Sequence, residues 1–302
     1  MATANPMLDA SPPATLPEGR LLVVLPLLTQ PQLETMLATL ASSLPADDLL
    51  IAAPEGVAPD SFPAFHFVTF TPAKSSWTLT AADFVNVCQI AEKNSARALL
   101  LLGQECVSIN AAGLRDFGQA VLNGAADLVV PCYSLPPLAG LLNSSILYPL
   151  SRALFANRTR YPLAIDLGLS LRMAQKLFSV AQRFIALNQS DTPLWPVSEA
   201  MIAGMTIDEV EIGPRELPHP TEPDLNAILP FVAGSLFSDI DAKATFWQRA
   251  RVTPPGRRLL PAVQSPGPEI AHEAAPMLQG FRLAYTNLHE IWSLVLPPNS
   301  LL

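Results

Sequence analysis

Short, purely apolar runs alternate along this chain with stretches whose apolar residues recur every three or four positions. Leu21–Leu25, closed by Pro26, and Ala98–Leu102 have no polar member; Asp48–Ala53 and Asp127–Cys132 are apolar after an opening acid, and Phe65–Phe70 is a short run carrying His66 and Thr69. Runs of this length and continuity predict strands, and the continuously apolar ones predict strands covered on both faces. Between them the period changes. Over Pro31–Ser43, Leu33, Met36, Leu37 and Leu40 mark one helical face, and Pro31 suits a first turn. Thr80–Asn94 opens with Thr80 and Asp83, a capping-box spacing, ahead of Phe84, Val87, Cys88 and Ala91. Helices are also predicted over Asn110–Leu122, Ser144–Phe155 and about Ser170–Leu187, a strand over Thr206–Ile212, and a long helical stretch over Pro223–Arg251 interrupted at Pro230. Strands alternating with helices predict an α/β sandwich on a largely parallel sheet. Ligands of such sheets sit beyond the carboxyl ends of the strands, which places Pro54–Gly56, Gly103–Cys106 and Tyr133–Gly140 on one rim.

The ends of the chain read differently. Residues 1–19 are rich in Pro and Ala and lack the basic and apolar regions of a signal peptide, so a disordered leader is expected. The sandwich is expected over residues 20–252, and 253–276, with six prolines, as an extended linker. Residues 277–302 are expected as a C-terminal helix. There Leu278, Phe281, Tyr285, Leu288, Ile291, Trp292 and Val295 form a stripe that either packs on the main domain or receives a partner.

Composition narrows the function. Half of the 302 residues are hydrophobic and 15% are charged, as in a core-rich globular protein. The formal net charge is −8 and lysines are few, which argues against a broad nucleic-acid surface. No apolar run is long enough to span a membrane. The three cysteines, Cys88, Cys106 and Cys132, are far apart and suit a reducing, cytoplasmic setting. The chain has no GxGxxG, GxxxxGK[ST], HExxH or GxSxG. His66, His219, His272 and His289 are scattered, with His66 read as a core or edge strand residue.

One stretch is more specific. Between Asp127 and Met173 the chain carries Pro131, Tyr133, Gly140, Asn143, Ile146, Tyr148, Pro149, Leu150, Arg152, Arg160, Pro162, Asp166, Gly168 and Ser170. With this spacing it resembles the bacterial mannosylglycerate and glucosylglycerate synthases, family 2-like glycosyltransferases, and the resemblance extends more weakly from Leu21 to Trp247. It implies a glycosyltransferase-A, Rossmann-like sandwich. It also implies transfer of a sugar, with retention, from a nucleotide-sugar to a small polar acceptor, and leaves room for a homo-oligomer.

In that family a divalent cation, Mg²⁺ or Mn²⁺, is held by an Asp-x-Asp after the fourth strand, where this chain has Gly103-Gln104-Glu105. Glu105 either still ligates the metal or is a solvated loop residue. The family's metal-binding histidine falls at Leu217, with His219 two residues on as a substitute if the loop shifts. By the same resemblance Glu55, Lys74, Gln104 and Glu105 face the donor, and Tyr133, Asn143, Arg152 and Arg160 face the acceptor. Asp166 either orients the acceptor hydroxyl and takes its proton or caps the following helix. The acceptor half is kept and the donor half eroded. A non-catalytic homologue that binds a sugar, a nucleotide or a partner is therefore the alternative reading.

Overall fold

The purely apolar runs pair with one another, because a strand with two covered faces can satisfy its backbone only inside a sheet. The computed structural model describes residues 19–54, 65–72, 78–135, 139–140, 142–163, 165–216, 222–249 and 268–295. Strands β1 (Leu21–Val24), β2 (Leu49–Ala53), β3 (His66–Thr69), β4 (Ala98–Leu101), β5 (Leu128–Ser134), β6 (Leu167–Ser170) and β7 (Ile207–Pro214) form one mixed sheet in the order β3-β2-β1-β4-β6-β5-β7. The pairs β1–β2, β1–β4, β2–β3 and β5–β7 are parallel, while β6 runs antiparallel to β4 and β5. The expected α/β class and largely parallel sheet are found. The antiparallel β6 was not anticipated: its four residues, Leu-Gly-Leu-Ser, are too short to show a period.

β6 decides the geometry of one rim. Because it runs backwards, its amino-terminal end meets the carboxyl ends of β4, β5 and β7. Asp166 immediately before it, Gly103 after β4, Tyr133 late in β5 and Arg215 after β7 therefore converge.

Helices α1 (Gln30–Ser43), α2 (Ala81–Lys93), α3 (Ala111–Leu122), α4 (Tyr148–Phe155), α5 (Leu171–Ala186) and α6 (Pro196–Ile202) flank the sheet. The capping box read at Thr80 and Asp83 forms, with the Thr80 N–H donating to Asp83 at 2.8 Å. α5 is capped by Ser170, whose hydroxyl accepts from the Met173 N–H at 3.1 Å, so Asp166 is not its cap. One π-helical turn, Asn143–Leu147, precedes α4. His66 is exposed on the edge strand β3, and the Arg20 guanidinium lies 3.0 Å from its Nε2.

A second small core of Leu147, Leu163, Trp195, Val232 and Leu236 joins α4 and α6 to α7 (Glu222–Ala242). α7 runs through Pro230, and the interruption falls instead at Lys243, before α8 (Ala244–Trp247). Lys243 turns its ammonium onto buried Glu199 at 2.9 Å, onto Ser198 at 2.7 Å and onto Asp239, while Lys176 reaches Glu199 at 3.2 Å. Burial alone would raise Glu199, but Lys243 and then Lys176 hold it below its usual range. The pairing explains why two carboxylates are tolerated inside. Helix α9 (Pro268–Val295) belongs to a second compact unit and starts earlier than expected, taking in Pro276 and part of the expected linker. Along it Tyr285 meets Trp292 and His289, with ring centres 5.9 and 5.1 Å apart.

Candidate functional site

Asp166 and Arg215 form a closed ion pair at the convergent rim, both with fully buried side chains. Arg215 Nε donates to Asp166 Oδ2 at 3.0 Å and Nη2 donates to Oδ1 at 3.2 Å. The Gly103 N–H donates to Asp166 Oδ1 at 2.8 Å, and the Tyr133 hydroxyl donates to Oδ2 at 3.0 Å. A carboxylate offers about four acceptor positions, and those of Asp166 are taken. Arg215 places its remaining N–H groups on Ser108 Oγ (3.1 Å), the Glu216 carbonyl (2.7 Å) and the Gln104 carbonyl (2.6 Å). Its five donors therefore meet five acceptors. Burial, and next the Asp166 charge, push the Tyr133 hydroxyl well above its usual range. Burial would lower Arg215, and the Asp166 charge instead raises it.

This arrangement revises the sequence reading of Asp166. The side chain is 0% exposed and every oxygen is engaged, so in this arrangement it offers no lone pair to an acceptor hydroxyl. It ties four segments of the rim together. Arg215 is the residue sequence reasoning missed. The signal was an arginine three positions past the expected strand end, in the Gly213-Pro214-Arg215 run two residues before Leu217, and nothing in the sequence indicates its partner.

Beside the Asp166–Arg215 pair a cleft of about 110 Å³ opens at the carboxyl ends of β1, β3 and β4. Leu25, Pro26, Phe70 and Leu102 form its floor, and Gly103 and Gln104 one edge. Of the residues assigned to the donor, Gln104 lies at this cleft. Glu105 is exposed and left-handed (φ 58°, ψ 19°), with its carbonyl held by the Ser108 N–H and hydroxyl at 3.0 and 2.6 Å. Glu55, Lys74 and His219 lie outside the described residues. Among the described residues, no group of three His, Cys, Asp or Glu side chains is placed to hold a metal ion.

Of the residues expected at the acceptor, Arg152 and Arg160 meet on one ring. The Arg152 guanidinium lies 5.8 Å and that of Arg160 5.6 Å from the Tyr148 ring centre, both within cation–π range. Arg152 also donates to the Tyr148 hydroxyl at 2.6 Å. Asn143, in the π-helical turn, donates from Nδ2 to the Arg160 carbonyl at 2.9 Å, and its buried Oδ1 has no hydrogen-bond partner. A Glu209 oxygen accepts from the Arg160 backbone N–H at 2.6 Å. Tyr133 stands apart from this group, turned inward onto Asp166. Its ring centre is 4.7 Å from that of Tyr161, which follows Arg160 and so links the two clusters.

No protein-family profile matches the chain, and no curated protein matches its sequence. Solved structures do show a likeness. Glucosyl-3-phosphoglycerate synthase from Mycobacterium tuberculosis, in complex with Mn²⁺, uridine diphosphate and phosphoglyceric acid, is 14% identical, with 73% of this chain and 78% of that chain covered and a TM-score of 0.47. The same enzyme with Mn²⁺, UDP-glucose and phosphoglyceric acid is 16% identical, with 73% and 79% covered and a TM-score of 0.46. A structure described only as a mycobacterial protein is 14% identical, with 73% and 74% covered and a TM-score of 0.47. Among the described residues, no helix is long and apolar enough to cross a membrane.

Proposed function

We propose that this chain is a glycosyltransferase-like protein of the glycosyltransferase-A type, taking a nucleotide-sugar at the rim of β1, β3 and β4 and a small anionic or polyhydroxyl acceptor at Tyr148. The observation that carries the acceptor half is the pair of guanidinium groups on one tyrosine. Arg152 is exposed and Arg160 half-buried, so both can turn donors toward a carboxylate or phosphate, the geometry guanidinium groups suit best. The donor half rests on the cleft's place at the carboxyl ends of parallel strands and on the resemblance drawn from the sequence. In this reading the chain's residues bind and orient the two substrates, which is a large part of what group transfer requires.

The saturated Asp166 favours a second reading, in which the protein binds these ligands without transferring the sugar. One experiment separates the two. The purified chain is incubated with labelled UDP-, GDP- and ADP-sugars and a phosphorylated or carboxylated three-carbon acceptor, while thermal shifts are recorded with each ligand alone. Acceptor-dependent release of the nucleoside diphosphate supports transfer. Ligand-dependent stabilisation without release supports binding alone. Stabilisation by anionic acceptors that survives both Arg152→Ala and Arg160→Ala removes the proposed acceptor site.

A further inference from the structure

Among the described residues, those at the rim do not fit the divalent cation that the resemblance implies. At the first position of the expected Asp-x-Asp stands Gly103. A Cβ there would lie 2.8 Å from the Ile165 carbonyl oxygen and 3.0 Å from the Ile165 Cβ. The 165–166 backbone passes so close that position 103 has no room for a side chain, carboxylate or otherwise. The same close approach brings the Gly103 N–H onto Asp166, so the missing side chain and the Asp166 contact are one feature. The nearest buried carboxylate is Asp166, and its oxygens are held by Arg215, Tyr133 and Gly103. Mg²⁺ keeps several waters and is held through one or two carboxylates together with substrate phosphates, so a site here needs at least one carboxylate free to ligate. Glu105 is the remaining acid of the motif, and its backbone is fixed by Ser108 in a left-handed turn with the side chain exposed.

A cation is already present at this rim. The Arg215 guanidinium reaches the Gln104 carbonyl, Ser108 and Asp166 at once, so it cross-links the two sides of the loop that a metal would otherwise organise. We infer that Arg215 is a built-in substitute for the divalent ion in organising the Gly103–Ser108 loop, and that this chain binds a nucleoside diphosphate equally well with and without Mg²⁺ or Mn²⁺. The nucleotide clause rests on the function proposed above, whereas the metal clause does not.

The test keeps the two apart. Full-length protein is titrated into Mn²⁺ and the electron paramagnetic resonance signal of the free hexaaqua ion is followed. In parallel, calorimetry measures UDP and GDP binding in EDTA and in millimolar Mn²⁺. The expected result is an unchanged free-ion signal and nucleotide affinities that agree within about threefold. One Mn²⁺ bound per chain overturns the inference. So does a tenfold or greater gain in nucleotide affinity with Mn²⁺ that Glu105→Gln abolishes. The titration reads the whole chain, so a site completed by Glu55 or His219 registers as bound Mn²⁺. An unchanged Mn²⁺ signal with no nucleotide binding under either condition refutes the nucleotide-sugar reading and its nucleotide clause, and leaves the metal clause supported.

Discussion

Replacing Arg215 with Met removes the guanidinium while keeping an unbranched apolar stem of similar reach. Asp166 is then left buried, charged and held only by the Gly103 N–H and the Tyr133 hydroxyl. Removing one partner of a buried pair costs about 3–5 kcal/mol, because the other charge stays uncompensated. The Gln104 and Glu216 carbonyls and the Ser108 hydroxyl also lose this donor. For a folded body of this size each kcal/mol lowers the melting temperature by about 2–4 °C, so a loss of roughly 6–20 °C is expected. Asp166→Asn should cost a comparable amount for the mirrored reason, a buried guanidinium without its counter-charge. The double variant Asp166→Asn/Arg215→Met buries no lone charge, so it should be no less stable than the worse single variant, giving a coupling of at least about 3 kcal/mol. Urea unfolding followed by tryptophan fluorescence and by far-UV circular dichroism measures all four proteins. Single variants within about 1 kcal/mol of the parent, or strictly additive losses, would refute the structural role of the pair. The contrary result, a stable Asp166→Asn whose turnover falls by about 10²–10⁴-fold, is what proton transfer from the acceptor would produce.

At the opposite end of β5 and β6, Asp127 accepts from Arg172 Nε at 2.9 Å and from the Thr206 N–H and hydroxyl at 3.0 Å each; Arg172, and then Thr206, lower it from 3.8 to about 2. A depressed carboxylate stabilises above its unfolded value and loses that contribution as pH falls through the folded one. With Arg172 solvated, about 1–2 kcal/mol should separate the parent from Asp127→Asn at pH 6, shrinking as the pH drops from 4 to 2, as read by urea midpoints. Gly168→Ala would place a Cβ 2.1 Å from Val121 Cγ2 and 3.1 Å from Val129 Cβ, so overpacking should cost at least about 1–3 kcal/mol; a neutral melting temperature would show that α3 yields. Burial pushes Cys88 and Cys106 up to about 12, Cys106 with a further contribution from Asp166. Both thiols should resist iodoacetamide at pH 8 in the native protein and react once it is unfolded, as peptide mass spectrometry would show; rapid native labelling of Cys106 would contradict its placement.

Much of the architecture was determined by the sequence alone. The continuous apolar runs at Leu21, Leu49, Ala98 and Leu128 could be stable only as doubly covered strands. The three-to-four-residue spacing of Leu33, Met36, Leu37 and Leu40 could bury only one helical side. Thr80 and Asp83 announced a helix start because capping acts over three residues. The grouping of Asn143, Arg152 and Arg160 was also legible in part, since π-turn and helix bring them together over a short stretch of chain. What the sequence left open depends on contacts distant along the chain. The reversal of β6 is one, because its direction is set by which strands it joins. The state of Asp166 is another: whether it meets substrate or a guanidinium depends on Arg215, 49 residues away. Gly103 read as a lost metal ligand, whereas the fold shows a position with no room for any side chain, because Ile165 passes against it. Local propensity and periodicity act within a few residues, whereas charge neutralisation and steric exclusion act wherever the folded chain brings groups within a few ångströms.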